Sequence, residues 1–234
     1  MTHPTTFDGA VVLVTGANGG LGREFVRQAL DRGAAKVYAT ARTPQAWDDP
    51  RIVPLALDVT DPASVARAAA SAPDVTVLVN NAGASNGSSV LGELAAARAL
   101  FDTNFWGQLE VTNAFAPVLA ANGGGAILNV LSVLSWLAVA DAYSATKAAL
   151  WSATNTQRLA LAGQGTQVLG LHLGYTDTPM TNDIEAPKND PADVVSAAYA
   201  GLLTGANEVL ADEVSRQVRA GLAGPLSALY PQLA

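Results

Sequence analysis

Ala10-Val-Val-Leu-Val-Thr15-Gly16-Ala17-Asn18-Gly19-Gly20-Leu21-Gly22 decides the fold. Its first half is a nearly continuous apolar run, the pattern of a strand covered on both faces. Its second half is a glycine-rich turn that opens into a helical pattern from Leu21 to about Arg32, closed by Gly33 as a C′ residue. Glycine serves where the backbone takes positive φ or approaches a phosphate with no Cβ in between. The free N–H groups of a following helix N-terminus then attract an anion. The stretch predicts a strand–turn–helix unit holding a pyrophosphate over Gly16, Asn18, Gly19, Gly20, Leu21 and Gly22. Because Gly19 and Gly20 are adjacent, glycine at 16, 20, 22 and glycine at 16, 19, 22 both satisfy the pattern.

The same rhythm continues outward. Lys36–Thr40, Ile52–Leu57, Val75–Val79, Ala126–Val130, Gln167–Leu171 and a short Glu208–Leu210 read as further strands. Between them lie helical patterns, including Arg98 to about Ala121 and Ala142–Ala162. Asp61-Pro62 and Asp190-Pro191 each supply an N-cap followed by proline at the first helical position. Strands separated by helices of this length imply right-handed crossovers and a mostly parallel α/β sheet of about seven strands. No linker, repeat or shift in composition divides the chain, so residues 1–234 are expected to form a single domain.

Composition excludes several kinds of chemistry. With no cysteine and two histidines, His3 and His172, neither a thiolate nucleophile nor a multi-histidine metal centre can be built, and no metal is expected. His172, at a strand end, is expected to pack in the core or a loop. Thirteen basic residues against 20 acidic ones give a formal charge of −7 and no basic patch for nucleic acid. The N-terminus has neither a basic nor an apolar leader pattern, and the longest apolar stretch, Ala126–Ala140, is interrupted by Asn129, Ser132 and Ser135. That stretch falls short of the roughly 20 apolar residues a membrane span needs. A cytoplasmic protein without membrane contact is expected.

One pair carries acid–base potential. Tyr143-Ser-Ala-Thr-Lys147 places a phenol and an ammonium one helical turn apart on one face. A tyrosine whose ordinary pKa is about 10 becomes a useful acid–base group near neutrality when a nearby cation favours its phenolate. Spacing alone also fits an ordinary surface pair.

Taken together, these stretches resemble the short-chain dehydrogenase/reductase family over residues 10 to about 180. Thr15–Gly22 is similar to its TGxxxGxG turn, Asn80-Asn81-Ala82-Gly83 to its NNAG motif, and Asn104 to its helix asparagine. Ser132 follows the fifth strand as in the family, and Tyr143–Lys147 matches YxxxK. The resemblance implies a Rossmann-type doubly wound sheet with helices on both faces, in three αβα layers. It implies Tyr143 as general acid/base, Ser132 as hydrogen-bond donor to the substrate oxygen, and Lys147 as the group that lowers the tyrosine pKa and holds the nicotinamide ribose. Asn104 would hold a water that relays protons through Lys147. Asp58 and Val59 resemble an adenine contact, and Asn81, Ala82, Gly83, Gly174 and Thr178 complete the expected cofactor contacts.

Two departures stand out. Leu173 replaces the family's usual proline before Gly174, and the 11-residue span from Ser132 to Tyr143 is shorter than usual, which leaves Ser135 as an alternative donor.

No carboxylate occurs between Asp31 and Asp48, where an NAD-preferring chain would place one after the second strand; Arg42 stands there instead. A guanidinium suits a 2′-phosphate, so NADP(H) is expected ahead of NAD(H). Residues 179–190 resemble the substrate lid, with Val133–Leu137, Tyr175 and Met180 as an apolar wall for a ketone, aldehyde or alcohol. Phe101, Phe105, Trp106, Leu150 and Trp151 suggest a homodimer or homotetramer. The expected activity is carbonyl reduction or alcohol oxidation with NADP(H). The alternatives are an extended-type epimerase or dehydratase, disfavoured by the mere 56 residues after Thr178, and a non-catalytic NADP sensor, disfavoured by the intact Asn104, Ser132, Tyr143 and Lys147.

Overall fold

The computed structural model describes residues 5–233, so His3 lies outside the described residues. Among them, seven parallel strands form one sheet in the order β3-β2-β1-β4-β5-β6-β7. The strands are β1 Val11–Thr15, β2 Lys36–Ala41, β3 Ile52–Ala56, β4 Val77–Asn80, β5 Ala126–Val130, β6 Gln167–His172 and β7 Glu208–Leu210. Each expected strand is present, with ends displaced by a residue or two. The sheet switches direction of build between β1 and β4, and ligands of such sheets bind at that crevice, outside the carboxyl ends of the strands.

Alternation along each buried strand explains the two-sided core. Val12 and Val14 face one hydrophobic layer with Val77, Val79, Leu128, Leu169 and Leu171, while Leu13 faces the other with Leu78, Ile127 and Val168. Helix α1 (Gly20–Asp31) and helix α6 (Pro191–Leu203) cover the first layer, where the Tyr199 hydroxyl donates to the Phe25 carbonyl at 2.8 Å. Helix α2 (Pro62–Ser71) packs on the second with the long helical run that follows β4. Pro54 is tolerated in β3 because that strand is at the sheet edge.

The long helical pattern expected from Arg98 is interrupted in its hydrogen bonding. Helix α3 (Ala95–Phe101) passes through a π-helical turn at Asp102–Trp106 into helix α4 (Gly107–Ala121). The turn falls where Gly107 must sit against Val59: a Cβ there would lie 2.8 Å from the Val59 carbonyl oxygen. Asn104 is the fully buried residue at its centre. Helix α5 (Ala142–Leu161) carries the Tyr143–Lys147 pair, and α7 (Glu213–Gly221) and α8 (Leu226–Leu229) close the chain. Both aspartate caps form as expected: Asp61 accepts from Ala63 N at 2.9 Å and Asp190 from Ala192 N at 2.7 Å.

Candidate active site

Because every strand runs the same way, the segments singled out in the sequence emerge at one edge: the glycine turn after β1, Arg42 after β2, Asp58 after β3, Asn81–Gly83 after β4, Ser132 after β5 and Gly174–Thr178 after β6.

The glycine turn resolves the spacing ambiguity. Gly16 and Gly20 have φ of +67° and +51°, whereas Gly19 is extended, so the pattern is glycine at 16, 20 and 22. A Cβ on Gly20 would meet the Thr178 side chain at 3.3 Å, which places Thr178 across the turn from the start of α1. On Gly22 it would lie 2.1 Å from the Gly16 carbonyl oxygen. Gly22→Ala is therefore expected to push α1 off the turn, lowering the melting temperature and abolishing nucleotide binding together; a protein that melts and binds like wild type would contradict this close approach.

The turn fits an anionic dinucleotide. Gly19 faces open space, helix α1 has no side-chain cap, and no acidic residue stands in its first turn. The N–H groups of Gly20 and Leu21 are thus left for a ligand, while that of Gly22 donates to the Gly19 carbonyl at 3.0 Å. The turn is braced from β4. Thr15 Oγ1 accepts from the N–H groups of Asn81 and Ala82, both at 2.9 Å, and Asn81 Nδ2 donates to Thr15 O at 2.8 Å. Asn81, expected as a cofactor contact, thus commits its amide to holding the turn. Asn18 is likewise committed, donating to Thr43 O at 2.8 Å and fixing the loop that carries Arg42.

Arg42 is exposed, and its charge helps hold the Asp58 carboxyl below the usual range, after the larger contribution of hydrogen bonds from Thr60. Val59, by contrast, is buried against Gly107 and belongs to the core. Gly174 N donates to Asp212 Oδ2 at 2.6 Å, and the same oxygen accepts from Asn189 Nδ2 at 2.9 Å. Asp212 Oδ1 caps α7 through Ser215 N at 2.7 Å. Asp212 thereby ties the end of β6 to the base of segment 179–190, a role the sequence reading missed because its partners are 23 and 38 residues away. Nothing local marks it.

Lys147 is 3% exposed, its Nζ donating to Val130 O at 2.8 Å and lying 5.7 Å from the centroid of the Tyr143 ring. Gly83 borders the same space: a Cβ there would lie 3.5 Å from Asn104 Oδ1 and 3.9 Å from Lys147 Nζ. Asn104 is held on both sides, accepting from Ala84 N at 2.8 Å and donating to Ala84 O and Thr146 Oγ1. Its amide ties the β4 loop to α5.

The expected lowering of the tyrosine pKa is not what this geometry produces. Burial pushes Tyr143 up to about 12 and Lys147 down to about 8. Desolvation outweighs an ammonium that is several ångströms away and directed at a carbonyl. The phenol is consequently held protonated near neutral pH.

Ser132 Oγ accepts from Leu134 N at 3.1 Å, and its nearest protein acceptor, Leu173 O, is 3.5 Å away. Its proton is left weakly engaged. Ser135 is buried with no partner for its hydroxyl. Leu173, in the place of the missing proline, is buried, and its carbonyl accepts from Val133 N at 2.9 Å.

The expected apolar wall is divided. Tyr175 and Met180 are exposed, but Val133 and Trp136 are buried, and Trp136 stacks on His172 at 3.8 Å between ring centroids. Segment 179–190 begins with a 3₁₀ turn at Pro179–Thr181 and returns to its own base, where Asn189 N donates to Tyr175 O at 2.8 Å. Among the described residues no group of acidic or histidine side chains could hold a metal ion, and no helix is long and apolar enough to cross a membrane.

Comparison with known proteins agrees with this architecture. The family model for short chain dehydrogenase matches residues 10–189. A crystal structure of a short chain dehydrogenase from Burkholderia cenocepacia J2315 in complex with NADP is 39% identical, with a TM-score of 0.91 and coverage of 97% of this chain and 99% of that one. Galactitol 2-dehydrogenase (L-tagatose-forming) from Cereibacter sphaeroides is 34% identical over 77% of this chain and 78% of its own length. The ketoacyl reductase HetN of Nostoc sp. is 29% identical over 89% and 80% of the two chains. With its glycine turn, parallel sheet and Tyr–Lys helix in place, the chain belongs to the short-chain dehydrogenase family.

Proposed function

We propose that this protein is an NADP(H)-dependent oxidoreductase that reduces a ketone or aldehyde, or oxidises the corresponding alcohol, with Tyr143 as the general acid/base. The observation that carries this reading is the pairing on α5 of a half-buried Tyr143 with a buried Lys147, whose Nζ borders Gly83 after β4. When bound, the nicotinamide supplies or accepts the hydride. Gly16, Gly20 and the leading N–H groups of α1 would hold the pyrophosphate, Arg42 the 2′-phosphate, and Lys147 the nicotinamide ribose.

The chain's own groups manage the proton and the charge. Ser132 Oγ–H donates to the substrate oxygen, where negative charge grows during reduction. Tyr143 then passes its phenolic proton to that oxygen, and a phenol held protonated near neutrality suits the reductive direction. The Lys147 ammonium offsets the charge left on the phenolate. Segment 179–190, anchored through Asn189 and Asp212, closes over the substrate.

Substrate profiling by NADPH consumption over a panel of ketones and aldehydes tests the assignment, and turnover by at least one class is expected. Cofactor binding without any turnover would favour the sensor alternative. Arg42 gives a second check. Arg42→Asp is expected to lower kcat/KM for NADPH by about 10- to 100-fold, the loss of one charge-assisted phosphate contact, and to raise activity with NADH. A wild-type preference for NADH would contradict the cofactor assignment.

Pairing of chains through the α3–α4 surface belongs to the same reading. Trp106 is 56% exposed beside Phe105 and Phe101, whereas Leu150 is buried within the chain and Trp151 is bonded to Glu208. Light scattering on Trp106→Arg against wild type tests this pairing.

A further inference from the structure

We propose that His172 is a positioning residue for Ser132, holding the serine's main chain so that its hydroxyl meets the substrate oxygen. This inference rests on the reading of Ser132 as the donor.

The Ser132 carbonyl lies beyond the last ladder position of β5, and it accepts from Ser135 N at 3.0 Å and from His172 Nδ1 at 3.1 Å. A carbonyl oxygen only accepts, so the contact places a proton on Nδ1. His172 is fully buried at the end of β6, between β5 and β7. Two further neighbours flank its ring. Trp136 stacks on it at 3.8 Å with the planes 15° apart, and Glu208 Oε1 lies 3.5 Å from Nε2. Glu208 is itself held by Trp151 Nε1 at 2.8 Å and faces Arg219 Nη2 at 3.7 Å. Arg219 also lies over the Trp136 ring, 5.5 Å from its centroid, so that α7 backs the same stack.

The arrangement has a physical purpose in this chain. The loop from Ser132 to Tyr143 is short, and Trp136 within it turns inward onto His172 rather than lining the substrate wall. A loop fastened there sets the path of Ser132 relative to Tyr143. Small displacements of a catalytic group carry large rate penalties, up to about 100-fold for an ångström.

The test is a double-mutant cycle with a conservative rescue. His172→Leu removes the donor, His172→Asn retains an N–H near the Nδ1 position, and Ser132→Ala removes the hydroxyl that is positioned. The proposal expects H172L to lower kcat by about 10- to 100-fold, with the KM for NADPH unchanged. It expects H172N to recover most of the loss. It also expects H172L to cost less than about twofold when added to S132A, because residues that act through one group are not additive. Loss in S132A with full activity in H172L, multiplicative losses in the double variant, or H172N no better than H172L would each overturn it. Unchanged kcat in S132A would instead overturn the reading of Ser132, and the proposal with it. If H172L fails to fold, His172→Phe, which keeps a ring stacked on Trp136 and lacks the Nδ1 donor, takes its place in every comparison.

Discussion

Tyr143→Phe is expected to lower kcat for carbonyl reduction by about 10³-fold while leaving NADPH affinity within a factor of a few. The magnitude is that of a general acid, which typically supplies 10²–10⁴. The substitution removes one oxygen and its proton and leaves the ring that packs against the cluster of Ala97, Leu100 and Ala142. The fold should therefore be unaffected, and melting temperatures should agree. Stopped-flow measurement of NADPH oxidation beside a fluorescence titration of NADPH separates the two quantities. A Phe variant that turns over at a tenth of the wild-type rate or better would show that the proton comes from elsewhere.

Lys147→Met is expected to abolish activity and stabilise the protein. The ammonium is 3% exposed and burial has pushed it from 10.5 down to about 8. For a lysine whose folded pKa is depressed, the cost of burying the charge is fully present below about pH 8, where both folded and unfolded chains are protonated. Between about 8 and 10.5 the unfolded chain binds more protons than the folded one, so stability rises with pH and the cost is relieved. Methionine removes the charge at every pH. Its advantage near pH 7 is of the order of 1–3 kcal/mol, after the lost hydrogen bond to Val130 is set against the shift at 1.36 kcal/mol per unit. That advantage should shrink from pH 8 to pH 10.5. Tyr143 titrates in both proteins and cancels in the difference. Denaturant melts of the two proteins at pH 7 and pH 10 read the effect directly; equal stability at pH 7 would contradict it.

The same shift governs the pH dependence of the reaction. Loss of the Lys147 charge should make wild-type reduction fall as pH rises through about 8. Profiles flat to pH 10 would separate the lysine's charge from the chemistry.

The sheet was legible in the sequence because it is written in local signals. Unbroken apolar runs such as Val11–Val14 and capped helix starts such as Asp61-Pro62 need no knowledge of distant partners. Parallel connections then leave few topologies. The glycine turn and the Tyr143–Lys147 spacing were legible for the same reason: each lies within a few residues of chain. What escaped was set by long-range packing. Asp212 gains its role from Gly174 and Asn189, and Trp136 turns inward because His172 meets it from another strand. The direction of the tyrosine shift also escaped, since spacing shows a neighbouring cation but not how thoroughly both groups are desolvated. Asn81 was found by its motif, yet its amide braces Thr15 and Gly16.

Under the proposed function, hydride moves to a carbonyl carbon while Tyr143 supplies the proton. A single-turnover reaction with NADPH deuterated at the transferable nicotinamide position tests it most directly, using a ketone or aldehyde found by substrate profiling. The expected result is deuterium on the carbinol carbon of the wild-type product, and no product from cofactor-loaded Tyr143→Phe in the same interval. Product without that deuterium, or its formation by Tyr143→Phe at the wild-type rate, would contradict the assignment.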